Sequence, residues 1–250
     1  MTSNTFDELN AEPAGMPVPA RVLTIGAHPD DAEFGAGATL ARWASEGSDI
    51  TILVITDGSK GSWDVDIDQD ELIRRRKAEQ ADAAAVLGAA ATVHLDHVDG
   101  ELENSAQLRE QIAIEIRRHT PDVVLTHDPW QRYQMHPDHR ATGIAAVDGV
   151  VSAREPLALM DSGFDAHRPS AVLLWSADEP DHGEPVTDEW FERKVNALLC
   201  HSSQGETTMI DAPDNATQRT QFANKLRQWH TDQGAKLELG PAEVFKRLTP

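Results

Sequence analysis

Two short segments of this chain concentrate side chains able to do metal and proton chemistry. Gly26-Ala27-His28-Pro29-Asp30-Asp31 sets an imidazole beside two carboxylates, and His136-Pro137-Asp138-His139 sets two imidazoles around a third. His28 and Asp31 are three positions apart, so both can converge on one point where a strand turns into a helix, while Asp30 is aimed elsewhere. Alone, each segment has a plainer explanation: an aspartate capping a helix beside a satisfied buried histidine, or loop histidines in solvent. Together they supply nitrogen and carboxylate donors without thiolate, a set suited to catalytic zinc, where three protein ligands leave a position open for water. The metal raises that water's acidity for attack on a carbonyl, and a nearby carboxylate can take the proton.

The surrounding sequence contains elements able to present these groups. Short apolar runs at 22–26, 50–55, 92–95, 123–126 and 171–175 read as strands buried on both faces. They alternate with helical patterns at 31–46, 70–87, 105–119 and 137–153. This order predicts an α/β fold, Rossmann-like, with a mostly parallel sheet and helices on both faces in a single domain. Chemistry in such sheets collects beyond the carboxyl ends of the strands, and both segments follow a strand directly or after a short loop. Further helices are expected at 188–200 and 215–233 and a late strand near Val244, with loops at 152–170 and 176–187. Residues 1–20 read as a flexible arm and 21–250 as the folded unit.

Composition narrows the class. A 250-residue chain with 40% apolar residues can bury a sizeable core. Its net charge of -20 and lack of a basic stripe argue against nucleic acid as a partner. Cys200 is the single cysteine, which excludes an intrachain disulfide and Cys-x-x-Cys zinc sites. With no secretory signal pattern at the start and no apolar run of membrane-spanning length, the expectation is a cytoplasmic protein without membrane insertion. Homo-oligomerisation stays open. Gly35 and Gly37 form a G-x-G too far into the first helix for a dinucleotide turn, and neither a P-loop nor a G-x-S-x-G elbow is present.

An ordered series of segments over roughly residues 21–205 resembles the PIG-L or LmbE-like superfamily of zinc-dependent N-deacetylases. They are GAHPDDAEFGAGATLARW, VITDGSKGS, RRRKAEQADAAAVLG, VVLTHDPWQRYQMHPDHRATG and FERKVNALLCHSSQ. The resemblance implies Zn2+, or another divalent metal, on His28, Asp31 and His139. It implies Asp30 as general base and His136 as stabiliser of the oxyanion or proton donor to the leaving amine. One departure is Ala32 directly after the paired aspartates, with Glu33 following one position later. The implied activity is hydrolysis by zinc-activated water of an N-acyl group, acetyl foremost, from an amino sugar or similar small amide.

Other residues carry weaker expectations. Trp130, Arg132 and Tyr133 precede the second segment and would suit the apolar face and hydroxyls of a sugar. Arg76, matched to the family pattern with Glu79, is a substrate-contact candidate, against the plain alternative of an i,i+3 surface pair. Asp57 could lie near the site, His127 or Asp128 could orient a ligand imidazole, and His201 and Gln204 match a late motif without a defined role. Two other functions compete: a zinc amidase acting on a larger thiol-type conjugate, and a non-catalytic Rossmann-like sugar-binding domain, which would show a broken ligand set.

Overall fold

The computed structural model describes residues 15–209, 212 and 215–250. It is a single α/β domain around a seven-stranded sheet of order β3-β2-β1-β4-β5-β7-β6. The strands are β1 (Arg21–Gly26), β2 (Asp49–Thr56), β3 (Ala91–His97), β4 (Val123–His127), β5 (Ala171–Trp175), β6 (His182–Pro185) and β7 (Ala242–Leu248). The first five are mutually parallel, and β7 runs antiparallel to both β5 and β6.

The apolar runs are continuous because successive residues serve opposite faces of the sheet. In β5, Leu173 and Trp175 join one core while Val172 and Leu174 join the other. The first core is shared with α1 (Asp31–Ser45), α2 (Gln69–Leu87) and α5 (Asp188–Cys200); the second with α3 (Ala106–His119) and α4 (Pro137–Arg154). A short helix, α6 (Gly205–Thr208), and a longer one, α7 (Ala216–Ala235), complete the chain, and a third cluster joins Phe191 of α5 to Phe222 and Leu226 of α7. No helix among the described residues is long and apolar enough to cross a membrane.

The chain winds from β1 outward through β2 to β3, then returns to place β4 on the other side of β1. That reversal opens a crevice at the carboxyl ends of β1 and β4, where the two motif segments stand.

Three expectations need correction. β6 forms inside the segment expected to be a loop at 176–187, because pairing with β7 gives His182 to Pro185 a ladder that local sequence does not advertise. The helix expected over 31–46 breaks at Ala36, whose φ of -148° and ψ of 17° are not helical. Buried Glu243 satisfies the groups freed there, accepting the N–H of Ala38 (3.0 Å) and Thr39 (2.7 Å), while buried Lys194 donates to Glu243 (2.6 Å) and to the Phe34 carbonyl (2.7 Å). Finally, residues 1–14 of the expected arm lie outside the described residues, but the arm's last part is docked. Gly15 N–H donates to the Gly183 carbonyl, Met16 N–H to Glu184, and Met16 and Val18 pack on the first core.

Candidate active site

The strand β1 delivers His28, Asp30 and Asp31 to the crevice, and the start of α4 delivers His136 and His139. Helix α4 begins there because Pro137 sits in its first turn and the His136 ring accepts the Asp138 N–H through Nδ1 (3.3 Å). That leaves His136 Nε2 uncommitted. The rings of His28 and His136 lie 4.6 Å apart, those of His136 and His139 4.6 Å, and those of His28 and His139 5.2 Å. All five motif residues line one cleft of about 800 Å3.

Three overlapping groups of side chains could each hold an ion: His28 with His136 and His139; Asp31 with His127 and His139; His28 with Asp99 and Asp138. Hydrogen bonding distinguishes them. Nδ1 of His127 accepts the Trp175 indole N–H (3.1 Å), so the proton of this ring sits on Nε2 and points at Asp31 Oδ2 (3.1 Å). Burial drives the His127 pKa down to about 4, keeping it neutral. His127 therefore orients Asp31 and has no lone pair to offer an ion. Asp31 Oδ2 also accepts the His28 N–H (2.6 Å), which leaves Oδ1 facing His139 Nε2 at 3.3 Å.

His28 is gripped in the same manner. Its Nε2 lies 3.2 Å from Asp99 and 3.3 Å from Asp138, so the proton belongs on that nitrogen and Nδ1 is turned toward Asp31. Burial works to discharge the ring, but hydrogen bonds to Asp138, Asp31 and Asp99 outweigh it and hold its pKa well above the ordinary value. Asp31 shows the complementary effect: burial opposes its charge, yet His139 and His127 hold its carboxyl well below the usual range. The atoms left for an ion are His28 Nδ1, Asp31 Oδ1 and His139 Nε2, whereas His136, whose Nδ1 accepts the Asp138 N–H, carries its proton on Nε2 and is a hydrogen-bond donor. Such a nitrogen and oxygen set, with carboxylates behind the imidazoles, fits a divalent transition metal.

Asp30 occupies the N-cap position of α1 but makes no side-chain cap bond, so the capping explanation does not describe it. Its φ of 107° is a left-handed conformation that a residue with a Cβ adopts only under constraint. Burial pushes its carboxyl up to about 6, against the pull of Arg76, whose Nη2 lies 3.7 Å away.

Arg76 is buried rather than part of a surface pair. It donates to the carbonyls of Pro29 (2.7 Å) and Gly58 (3.0 Å), and it is Arg75 that meets Glu79. Glu79 in turn holds Ser202 and Ser203, while His201 is buried with Nε2 3.6 Å from Glu33, and Gln204 donates to the Gly61 carbonyl and lines the cleft. Asp57 stands back from the cleft and ties its turn to the Asp99 N–H (3.1 Å). Asp128 accepts the Trp130 N–H and orients no ligand imidazole.

The expected sugar contacts are not where the sequence put them. Trp130 and Tyr133 are 64% and 89% exposed, Arg132 is exposed too, and none of the three lines the cleft, because the loop folds back through the Arg132 N–H bond to Asp178. The aromatic walls come from Trp63, in the loop after β2, and from Phe34 and Trp229. Nothing in the local sequence marks Trp63 or Trp229, which reach the cleft only through tertiary folding. Asp99 was legible in principle, since it lies at the turn after β3, on the catalytic edge of a parallel sheet.

A Rossmann-like sheet with a cluster of histidines and aspartates at its switch point defines an α/β protein with a site able to hold a metal ion. The model of the PIG-L family, described as GlcNAc-PI de-N-acetylase, matches residues 23–150, and the chain belongs to that family. The diacetylchitobiose deacetylase of Thermococcus kodakarensis is 35% identical over 187 residues, covering 74% of this chain and 70% of that one. The 1D-myo-inositol 2-acetamido-2-deoxy-alpha-D-glucopyranoside deacetylase of Rhodococcus erythropolis is also 35% identical, over 54% of this chain and 55% of its own length. Among solved structures, the N,N'-diacetylchitobiose deacetylase of Pyrococcus horikoshii superposes with a TM-score of 0.82 at 28% identity, covering 92% of this chain and 84% of that one.

Proposed function

We propose that the protein is a zinc-dependent hydrolase that removes the acetyl group from the nitrogen of an acetylated amino sugar, releasing acetate and a primary amine. The observation that carries this reading is the meeting of His28 Nδ1 (3.5 Å) and His139 Nε2 (3.3 Å) at the two oxygens of the Asp31 carboxylate, beside the buried Asp30 carboxylate, which makes no cap bond. These three would hold the ion. When bound, it supplies a Lewis acid that polarises the amide carbonyl and raises the acidity of water.

The remaining roles belong to the chain. Asp30 receives a proton from the attacking water and can deliver it to the departing nitrogen. Its raised pKa suits a group that must both take and give a proton near neutrality. His136 is partly exposed on the cleft rim with Nε2 free, suited to donate to the carbonyl oxygen as charge develops there. The aromatic walls formed by Trp63 and Trp229 suit the apolar face of a sugar ring, and Gln204, Thr207 and Thr208 offer hydrogen bonds to hydroxyls. The cleft exceeds what one acetylated sugar fills, which favours a substrate with a second ring, as in the compound that names the Thermococcus relative.

The test is a panel of N-acetylglucosamine, N,N'-diacetylchitobiose and an inositol-linked N-acetylglucosamine, with primary amine released as the readout. The reading expects turnover of at least one and preference for a two-ring substrate over the monosaccharide. No amine from any of them, with stoichiometric metal bound, would overturn it.

A further inference from the structure

The strain at Asp30 raises the question of what holds it. The peptide joining Pro29 to Asp30 is gripped at both ends by one helix: Arg76 Nη2 donates to its carbonyl oxygen (2.7 Å) and Gln80 Oε1 accepts its N–H (3.1 Å). Arg76 and Gln80 are four residues apart on α2, one turn along the same face, so the helix presents a donor and an acceptor spaced to clamp a single peptide plane. Gln80 is fully buried, and its amide cannot flip. Nε2 donates to Glu33 Oε1 at 2.7 Å, and a carboxylate accepts only, so the Gln80 oxygen must face Asp30. His201, also fully buried, stands behind Glu33 with Nε2 3.6 Å from its other oxygen.

We propose that Gln80 is a positioning residue for the reaction: it fixes the Asp30 backbone in its left-handed conformation and thereby aims the Asp30 carboxylate into the cleft. The conformation is unfavourable in a non-glycine residue and persists only where the surroundings over-determine it. Removing the acceptor lets the peptide rotate, and the carboxylate swings with it. The metal-binding donors, set by other contacts, stay in place. This inference rests on the deacetylase reading with Asp30 as base.

Two variants test it. Q80M keeps the volume and loses the acceptor; Q80E keeps an acceptor for the Asp30 N–H but sets an acid against Glu33. Positioning predicts kcat in the order wild type, Q80E, Q80M, with Q80M reduced roughly 10- to 100-fold, KM within about threefold and metal stoichiometry unchanged. Mere space-filling predicts that Q80M is the milder change. Independently of turnover, amide exchange at Asp30 should accelerate about tenfold or more in Q80M and less in Q80E. Wild-type kcat and exchange in Q80M, or a kcat order in which Q80E is the worse, overturns the proposal; should either variant fail to fold, the other decides by its kcat and exchange against wild type. Wild-type protein inactive on every acetylated sugar would instead defeat the deacetylase reading and leave the exchange result to judge the clamp.

Discussion

At the scale of single residues, the site is a division of labour written in hydrogen bonds. Two of the three candidate ligands spend one polar atom on neighbours and keep one: His28 spends Nε2 on Asp99 and Asp138, and Asp31 spends Oδ2 on His127 and the His28 backbone N–H. His28→Ala, Asp31→Ala and His139→Ala should each leave most of the protein without metal by elemental analysis, because each removes one of three ligands. Asp30→Ala should keep its metal and lose about 10²- to 10⁴-fold in kcat. Metal loss in Asp30→Ala with full occupancy in Asp31→Ala would mean the two roles are exchanged. The motif residues were legible because their types and spacing have few other uses together. Trp63 and Trp229 were not, since a tryptophan on a loop or a helix carries no local sign of the cavity it will face. Trp130, Arg132 and Tyr133 show the converse: they are near His136 in sequence but do not line the cleft.

The elements explain how those residues stay aimed. Gly35 lies where α1 breaks, and a Cβ there would meet the Trp175 ring at 2.5 Å, so the glycine is required by the indole that orients His127. Gly35→Ala should displace that ring and loosen Asp31, lowering metal affinity roughly 10- to 100-fold, the range for residues behind the ligands. Trp175→Phe, which removes the indole N–H but keeps an aromatic ring, should show a similar loss of metal affinity, with a lowered Tm from the cavity left in the core. Unaltered affinity in both variants would remove Trp175 and His127 from the account of Asp31. Most helix and strand positions were readable from periodicity and caps; Asp68, for example, accepts the N–H of Asp70 and Glu71 at the start of α2. The break at Ala36 was not readable, because Glu243, which stabilises it, arrives more than two hundred residues later.

The whole molecule is closed by its last helix and strand. His230 of α7 is buried, hydrogen-bonded to the Ala242 carbonyl of β7 and packed edge-on to Phe191, with Lys194, Arg227 and Glu243 as its charged neighbours. Burial, with Lys194 adding to it, lowers its pKa from 6.5 to about 3. A histidine with a depressed folded pKa binds its proton in the unfolded chain first, so stability falls with pH from about 6.5 to about 3. His230→Phe should flatten denaturant-derived stability across that window by about 1.4 kcal/mol per pH unit, the contribution of one proton. An unchanged slope would mean that His230 is not what makes the closure acid-sensitive.

The proposed reaction is hydrolysis of an N-acetyl amide on a sugar, with a metal that His28, Asp31 and His139 would hold. The most direct measurement is the rate of primary amine release from N,N'-diacetylchitobiose by metal-loaded protein, followed through removal of the metal with a chelator and its restoration with zinc. The account expects release that stops on chelation and returns with about one equivalent of zinc per chain. Amine release that persists undiminished in metal-stripped protein would contradict it.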